Sequence, residues 1–207
     1  MTAEPRPVAV LGGTFDPVHT GHIALVTAVR DQLEAHEAWL VPARTPSLRT
    51  EPVAPAQLRL AMLETAVRAV PGVRVIDIEL RRPGISYTID TVEALAVARR
   101  DVLPWWIVGA DAARHIREWH RSEELLGLIH LVVVQRAGTP RFDEAEARSL
   151  QLPPSRTRVL DITPPAVSAS EVRARVAAGR SVTGLVPAAV AHIIAASGLY
   201  RSAPAVR

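Results

Sequence analysis

Val8-Ala9-Val10-Leu11 is an unbroken apolar run that stops at Gly12-Gly13, which reads as a buried strand ended by a glycine turn. The period then changes. Over 21–35 the apolar positions, Ile23, Val26 and Leu33 among them, recur at helical spacing and form one stripe. This exchange of periods repeats along the chain. Strands are predicted at 38–41, 73–80, 105–108, 131–134 and 159–162, and helices at 57–70, 88–100, 123–128, 168–178 and 187–197. The 73–80 strand rests on the alternation of Val73, Val75, Ile78 and Leu80 with polar neighbours. Pro42 closes the second strand, and the three prolines within 44–56 predict an exposed loop there.

Several strands are apolar on both faces, as in Leu131-Val132-Val133-Val134. Strands of that kind alternating with helices predict a parallel sheet covered on both sides, a doubly wound α/β fold. Residues 1–207 are expected to form one domain. Its sheet core is expected over 8–165 and a small helical C-terminal part over 166–200, with the Glu-, Arg- and Pro-rich stretch 141–157 the nearest thing to a boundary. No internal repeat or low-complexity tract interrupts the pattern.

Composition narrows the chemistry. Hydrophobic content of 48% with 22% charged residues excludes a largely disordered chain. No apolar run approaches the roughly 18 residues that a membrane span needs, and residues 1–7 lack the apolar segment of a secretory signal, so a cytosolic protein is expected. The absence of cysteine excludes disulfides, thiolate metal sites and a cysteine nucleophile. All 24 basic residues are arginine, so lysine Schiff-base chemistry is excluded and any phosphate clamp must be an arginine. The net charge of +3 is too small to indicate a nucleic-acid partner.

The sharpest segment is Gly12-Gly13-Thr14-Phe15-Asp16-Pro17-Val18-His19-Thr20-Gly21-His22, between the first strand and the first helix. In a parallel sheet, ligands bind at the carboxyl ends of strands, which is where this turn belongs. The two glycines let backbone amides approach an anion, and the N–H groups of the following helix favour negative charge. His19 and His22, three apart at the helix start, can address one anionic group. The spacing matches neither a Walker loop nor a three-glycine dinucleotide fingerprint, and no third metal ligand follows at a helical interval.

This turn resembles the Thr/Ser-Phe-Asp-Pro-x-His-x-Gly-His signature of the nucleotidyltransferase superfamily, and more narrowly that of bacterial nicotinate-nucleotide adenylyltransferases. Further blocks carry the resemblance to the narrower family: Ser86-Tyr87-Thr88-Ile89-Asp90-Thr91, Gly109-Ala110-Asp111, Trp119, and Val167-Ser168-Ala169-Ser170-Glu171-Val172-Arg173, followed by Leu185-Val186-Pro187 and Gly198-Leu199-Tyr200. It runs from about Val8 to Tyr200, in the family's order. The resemblance implies a Rossmann-like fold and the joining of ATP to nicotinate mononucleotide, with Mg²⁺ carried by ATP and no protein-bound metal. It gives His19, His22 and Arg173 the catalytic roles, on the ATP phosphates. Gly12, Gly13, Thr14, Phe15, Arg49, Gly109, Asp111, Ser168 and Ser170 would bind the nucleotide, Asp111 through its ribose. Ser86, Tyr87, Thr88 and Trp119 would hold the pyridine nucleotide, the carboxylate at the helix start and the ring on the Trp119 indole.

From the residues alone, Ser86 or Thr88 is expected to cap the helix that follows, and Trp39, Trp105 and Trp106 to lie in the core. Three departures stand out: Leu48 replaces a histidine beside Arg49, Ala169 and Ser170 replace serine and threonine, and Arg136-Ala137-Gly138 replaces Arg-Pro-Gly. Pantetheine-phosphate adenylyltransferases and cytidylyltransferases share the histidine turn. The 86–91 block and Trp119 argue against the first, and the missing Arg-Thr-x-Gly-Ile-Ser ending against the second. A non-catalytic nucleotide sensor is a rival of another class, and the choice between nicotinate and nicotinamide stays open at this stage. The apolar C-terminal helix offers a surface for a second copy of the chain.

Overall fold

The structure, a computed structural model, describes residues 4–47, 52–135 and 140–201. Among these residues six strands form one sheet: β1 (Arg6–Gly13), β2 (Glu37–Pro42), β3 (Val73–Val75), β4 (Val102–Gly109), β5 (His130–Val134) and β6 (Thr157–Leu160). All pair in parallel, in the order β3-β2-β1-β4-β5-β6. This is the doubly wound, Rossmann-like α/β order, and the direction of travel reverses between β1 and β4. The helices are α1 (Thr20–Gln32), α2 (Ala56–Val67), α3 (Ile78–Arg81), α4 (Thr88–Ala98), α5 (Ala110–Arg114), α6 (Ser122–Leu128), α7 (Glu144–Ser149), α8 (Ala169–Ala177) and α9 (Ala188–Ser197).

Strand side chains alternate strictly between two cores. Ala9, Leu11, Ala38, Leu40, Trp105, Ile107, Val132 and Val134 face one; Val8, Val10, Trp39, Val41, Trp106, Val108, Leu131 and Val133 face the other. The first core takes Val26 and Val29 of α1, Met62 and Leu63 of α2, Val172 of α8, and Val190 and Ile194 of α9. The second takes Ile89 and Leu95 of α4, Ala113 of α5, Leu125 of α6 and Ala147 of α7. The helices that end the chain thus pack on the same core as the helices that begin it. All three strand tryptophans are buried, as the sequence reading expects.

Two expectations are corrected. The segment 73–80 is not one strand, because β3 stops at Val75 and the chain turns into α3. β3 is an edge strand with β2 as its partner, and that ladder runs out after the Ile76 N–H donates to the Leu40 carbonyl. The Asp77 carbonyl then accepts from Leu80 and Arg81, and this buries Glu79 rather than its apolar neighbours. The second correction concerns the start of α4. Neither Ser86 nor Thr88 stands at the cap position: Tyr87 does, and its side chain makes no capping hydrogen bond among the described residues. The Ser86 hydroxyl instead accepts the Arg44 N–H, at 3.0 Å.

The stretch 141–157 is packed against the sheet. Asp143 caps α7 by accepting the Glu146 N–H at 2.8 Å, Phe142 is fully buried, and the chain returns as β6.

Candidate active site

In a sheet of this strand order ligands bind outside the carboxyl ends of β1 and β4, and the Gly12–His22 turn forms one wall of that place. Gly13 packs closely, since a Cβ there would lie 3.2 Å from the Phe15 ring, which would have to give by a few tenths of an ångström. Phe15 is buried and takes a left-handed backbone (φ 51°), which reverses the chain after the strand. Its ring meets His22 edge-on at 4.9 Å, and His22 stacks on His19 at 3.6 Å with an interplanar angle of 25°. The His19 N–H donates to His22 Nδ1 at 3.2 Å, so a neutral His22 carries its proton on Nε2, where it can donate to an anion. Gly21 is also tightly enclosed: a Cβ would lie 3.1 Å from both His19 Nδ1 and the Pro165 carbonyl oxygen, which would have to give slightly. The Thr20 N–H and hydroxyl bond the Leu185 carbonyl at 2.9 and 3.1 Å, which ties this turn to the 182–186 segment.

Arg173 reaches the same turn from α8. Its Nη1 donates to the Asp16 carbonyl at 2.7 Å and its Nη2 to the Ser170 hydroxyl at 3.3 Å. Ser168 caps α8 by accepting the Glu171 N–H at 3.1 Å. The structure therefore brings Gly12, Gly13, Thr14, Phe15, His19, His22, Ser170 and Arg173 to one turn, with Ser168 at the start of the helix that carries the arginine.

The second wall begins at α4. Ser86 sits beside 44–46, its N–H on the Thr45 carbonyl at 2.8 Å. Tyr87 stacks on His120 at 4.1 Å and 26°, which joins the α4 start to the segment holding Trp119. Trp119 is half-buried against the second core, and its Nε1 is a buried donor with no hydrogen-bond partner among the described residues. Beneath this wall lies Glu79, which accepts the Thr91 hydroxyl at 2.7 Å. Burial pushes its carboxyl above the ordinary range, against hydrogen bonds from Thr91 and Ser86 and the charge of Arg82. Gly109 ends β4 with no described atom within 4 Å of where its Cβ would be, and Asp111 follows in the first turn of α5 with its side chain 66% exposed.

A family model described as cytidylyltransferase-like matches residues 10–175. A probable nicotinate-nucleotide adenylyltransferase of Bordetella avium is 39% identical over 199 residues, spanning 96% of this chain and 100% of that one. Another, of Laribacter hongkongensis, is 40% identical over 219 residues, with 98% of each chain covered. The chain belongs to the nicotinate-nucleotide adenylyltransferase family. A solved structure of Plasmodium falciparum nicotinic acid mononucleotide adenylyltransferase complexed with NaAD superposes with a TM-score of 0.77 over 94% of this chain and 97% of that one, at 18% identity, and so speaks for the fold.

Within that family frame, Arg49, with Leu48 beside it, lies outside the described residues, as does Arg136-Ala137-Gly138. Among the described residues no group of three or more His, Asp or Glu side chains could hold a metal ion, and no helix is long and apolar enough to cross a membrane. Sequence reasoning missed Arg59, Tyr200 and the side chain of Asp16. Arg59 is 1% exposed on α2 and donates to the carbonyls of Thr14 and Ala43, both at 2.7 Å. A signal was present, because Arg59 shares the helical stripe of Met62, Leu63 and Ala66, where a charged residue needs buried partners.

Proposed function

We propose that the chain transfers AMP from ATP to nicotinate mononucleotide, giving nicotinate adenine dinucleotide and pyrophosphate. The 5′-phosphate oxygen of the mononucleotide attacks the α-phosphorus of ATP. A new P–O bond forms, the bond from that phosphorus to the α–β bridging oxygen breaks, and pyrophosphate leaves with the electron pair. No protein nucleophile takes part, so the residues act by alignment and by stabilising charge.

The observation that carries this reading is the stacked His19–His22 pair at the switch point, with Arg173 bonded to the same turn. His22 Nε2, His19 and the remaining guanidinium N–H groups of Arg173 would meet the charge that builds on the triphosphate, while Gly12, Gly13, Thr14 and Phe15 line its path. Ser168 and Ser170 would add donors at the start of α8, and Asp111 beside Gly109 would accept from ribose hydroxyls. Ser86, Tyr87 and Thr88 would bring the uncapped amides of α4 to the nicotinate carboxylate, with Trp119 against the pyridine ring. Arg49 would contribute charge to the phosphates. Mg²⁺ would arrive on the triphosphate, held by phosphate oxygens and water, and would neutralise part of its charge.

The test is pyrophosphate release with ATP and Mg²⁺, comparing nicotinate mononucleotide, nicotinamide mononucleotide and phosphopantetheine. A strong preference for the nicotinate compound is expected. Preference for the amide would overturn the carboxylate site at α4, and activity with none of the three would overturn the reaction.

A further inference from the structure

Asp16 is 5% exposed, and its carboxylate collects donors from two distant parts of the chain. The N–H groups of Val53 and Ala54 reach it at 2.7 and 3.0 Å, and the Tyr200 hydroxyl at 2.7 Å. Its backbone carbonyl is the acceptor for Arg173 Nη1. One residue therefore holds the end of the 44–56 loop, Tyr200 and the guanidinium of Arg173.

Arg59 completes the arrangement from below. Its guanidinium binds four backbone carbonyls: Thr14 and Ala43 at 2.7 Å, and Ala54 and Arg44 at 3.2 Å. Ala54 is thus held twice, its N–H by Asp16 and its carbonyl by Arg59. Thr14 and Asp16 are both anchored on either side of Phe15, whose left-handed backbone persists only where its neighbours hold it. Burial lowers the Arg59 pKa and the nearby Asp16 and Tyr200 oppose that, yet an arginine so far above neutrality stays a cation. The Tyr200 hydroxyl is pushed upward by burial and by its bond to Asp16, so it stays a donor.

We propose that Asp16, Arg59 and Tyr200 are positioning residues for adenylyl transfer, setting the aim of Arg173 and the 14–16 turn and coupling both to the end of the 44–56 loop. The proposal rests on the adenylyl-transfer reading. A merely structural role would lower the melting temperature of variants while leaving turnover intact. A positioning role acts through Arg173, so its effect disappears when Arg173 is absent.

Tyr200→Phe removes one O–H and leaves the ring in the core, which makes it the decisive variant. The expected result is a fall in kcat of about tenfold, the kinetic equivalent of one hydrogen bond to a charged group, with KM for nicotinate mononucleotide within about twofold. In an Arg173→Ala background the same change should alter kcat by less than about twofold. Asp16→Asn, which places an amide N–H₂ among three donors, should reduce kcat further. Loss of its fold would leave the Tyr200→Phe cycle to decide. Full turnover in Tyr200→Phe, or an equal loss with and without Arg173, would overturn the positioning role alone. A wild-type chain that releases no pyrophosphate would overturn the reaction and this proposal with it.

Discussion

The turn after β1 and the start of α4 form two walls at the carboxyl end of the sheet, and each rests on a buried ionisable side chain. Under the β1 turn the group is Arg59, a cation answered by four carbonyl oxygens and a nearby carboxylate. Under the α4 start it is Glu79, whose bonds come from the Thr91 and Ser86 hydroxyls and whose burial favours the neutral form. The Arg44 backbone links the two, its carbonyl on Arg59 and its N–H on the Ser86 hydroxyl. An arginine keeps its charge at any ordinary pH, whereas burial draws a carboxyl towards its neutral form. The wall that would face the triphosphate is thus built on fixed charge and many backbone bonds. The wall that would face the pyridine is built on aromatic faces, helix amides and a group that titrates. Transition-state charge demands the first kind of wall, and recognition of a flat ring demands the second.

That contrast predicts different kinetic signatures on the two sides. His19→Ala should produce the largest effect, a loss of about 10² or more in kcat, because the imidazole would be stabilising charge that develops during transfer. Single-turnover rates with saturating substrates would show it, and an unchanged rate would remove His19 from the chemistry. Trp119→Ala should act on binding, raising KM for nicotinate mononucleotide about tenfold, in line with the loss of one aromatic stacking contact, while kcat changes little. If Trp119→Ala lowered kcat as heavily as His19→Ala, the two walls would not divide the work as their construction suggests.

Local pattern made one wall more legible than the other. The strand, the glycine turn and the two histidines are contiguous, and the switch-point position follows from the alternation of strands and helices. The bond between Tyr200 and Asp16 joins residues 184 positions apart, and no local pattern announces it. α3 escaped because Ile78 and Leu80 keep a strand-like alternation, and what ends β3 is the exhausted ladder of an edge strand, a tertiary fact. The expected cap on α4 failed for a similar reason. Ser86 is a good capping residue, but its hydroxyl is taken by the Arg44 N–H of a segment 42 positions away. Arg59 could have been read from its place on an apolar stripe, although nothing local says that its partners would be backbone carbonyls rather than a carboxylate.

The smallest effect tests the titratable side of the contrast. Glu79 has a folded pKa above its ordinary value of 4.5, chiefly from burial. Such a group stabilises the fold fully below the ordinary value and loses that contribution as pH rises through the folded value. Glu79→Gln preserves an acceptor for the Thr91 hydroxyl and does not titrate. The urea midpoint of the wild type, measured against that of Glu79→Gln, should therefore be more favourable at pH 4 than at pH 8. A difference that does not change with pH would mean that the carboxyl carries the same charge folded and unfolded. The α4 wall would then stand on a fixed charge as the β1 wall does. The division between a permanent cation under the β1 turn and a titratable acid under the α4 start would collapse, leaving the aromatic faces of Tyr87 and Trp119 as the main distinction between the two sides.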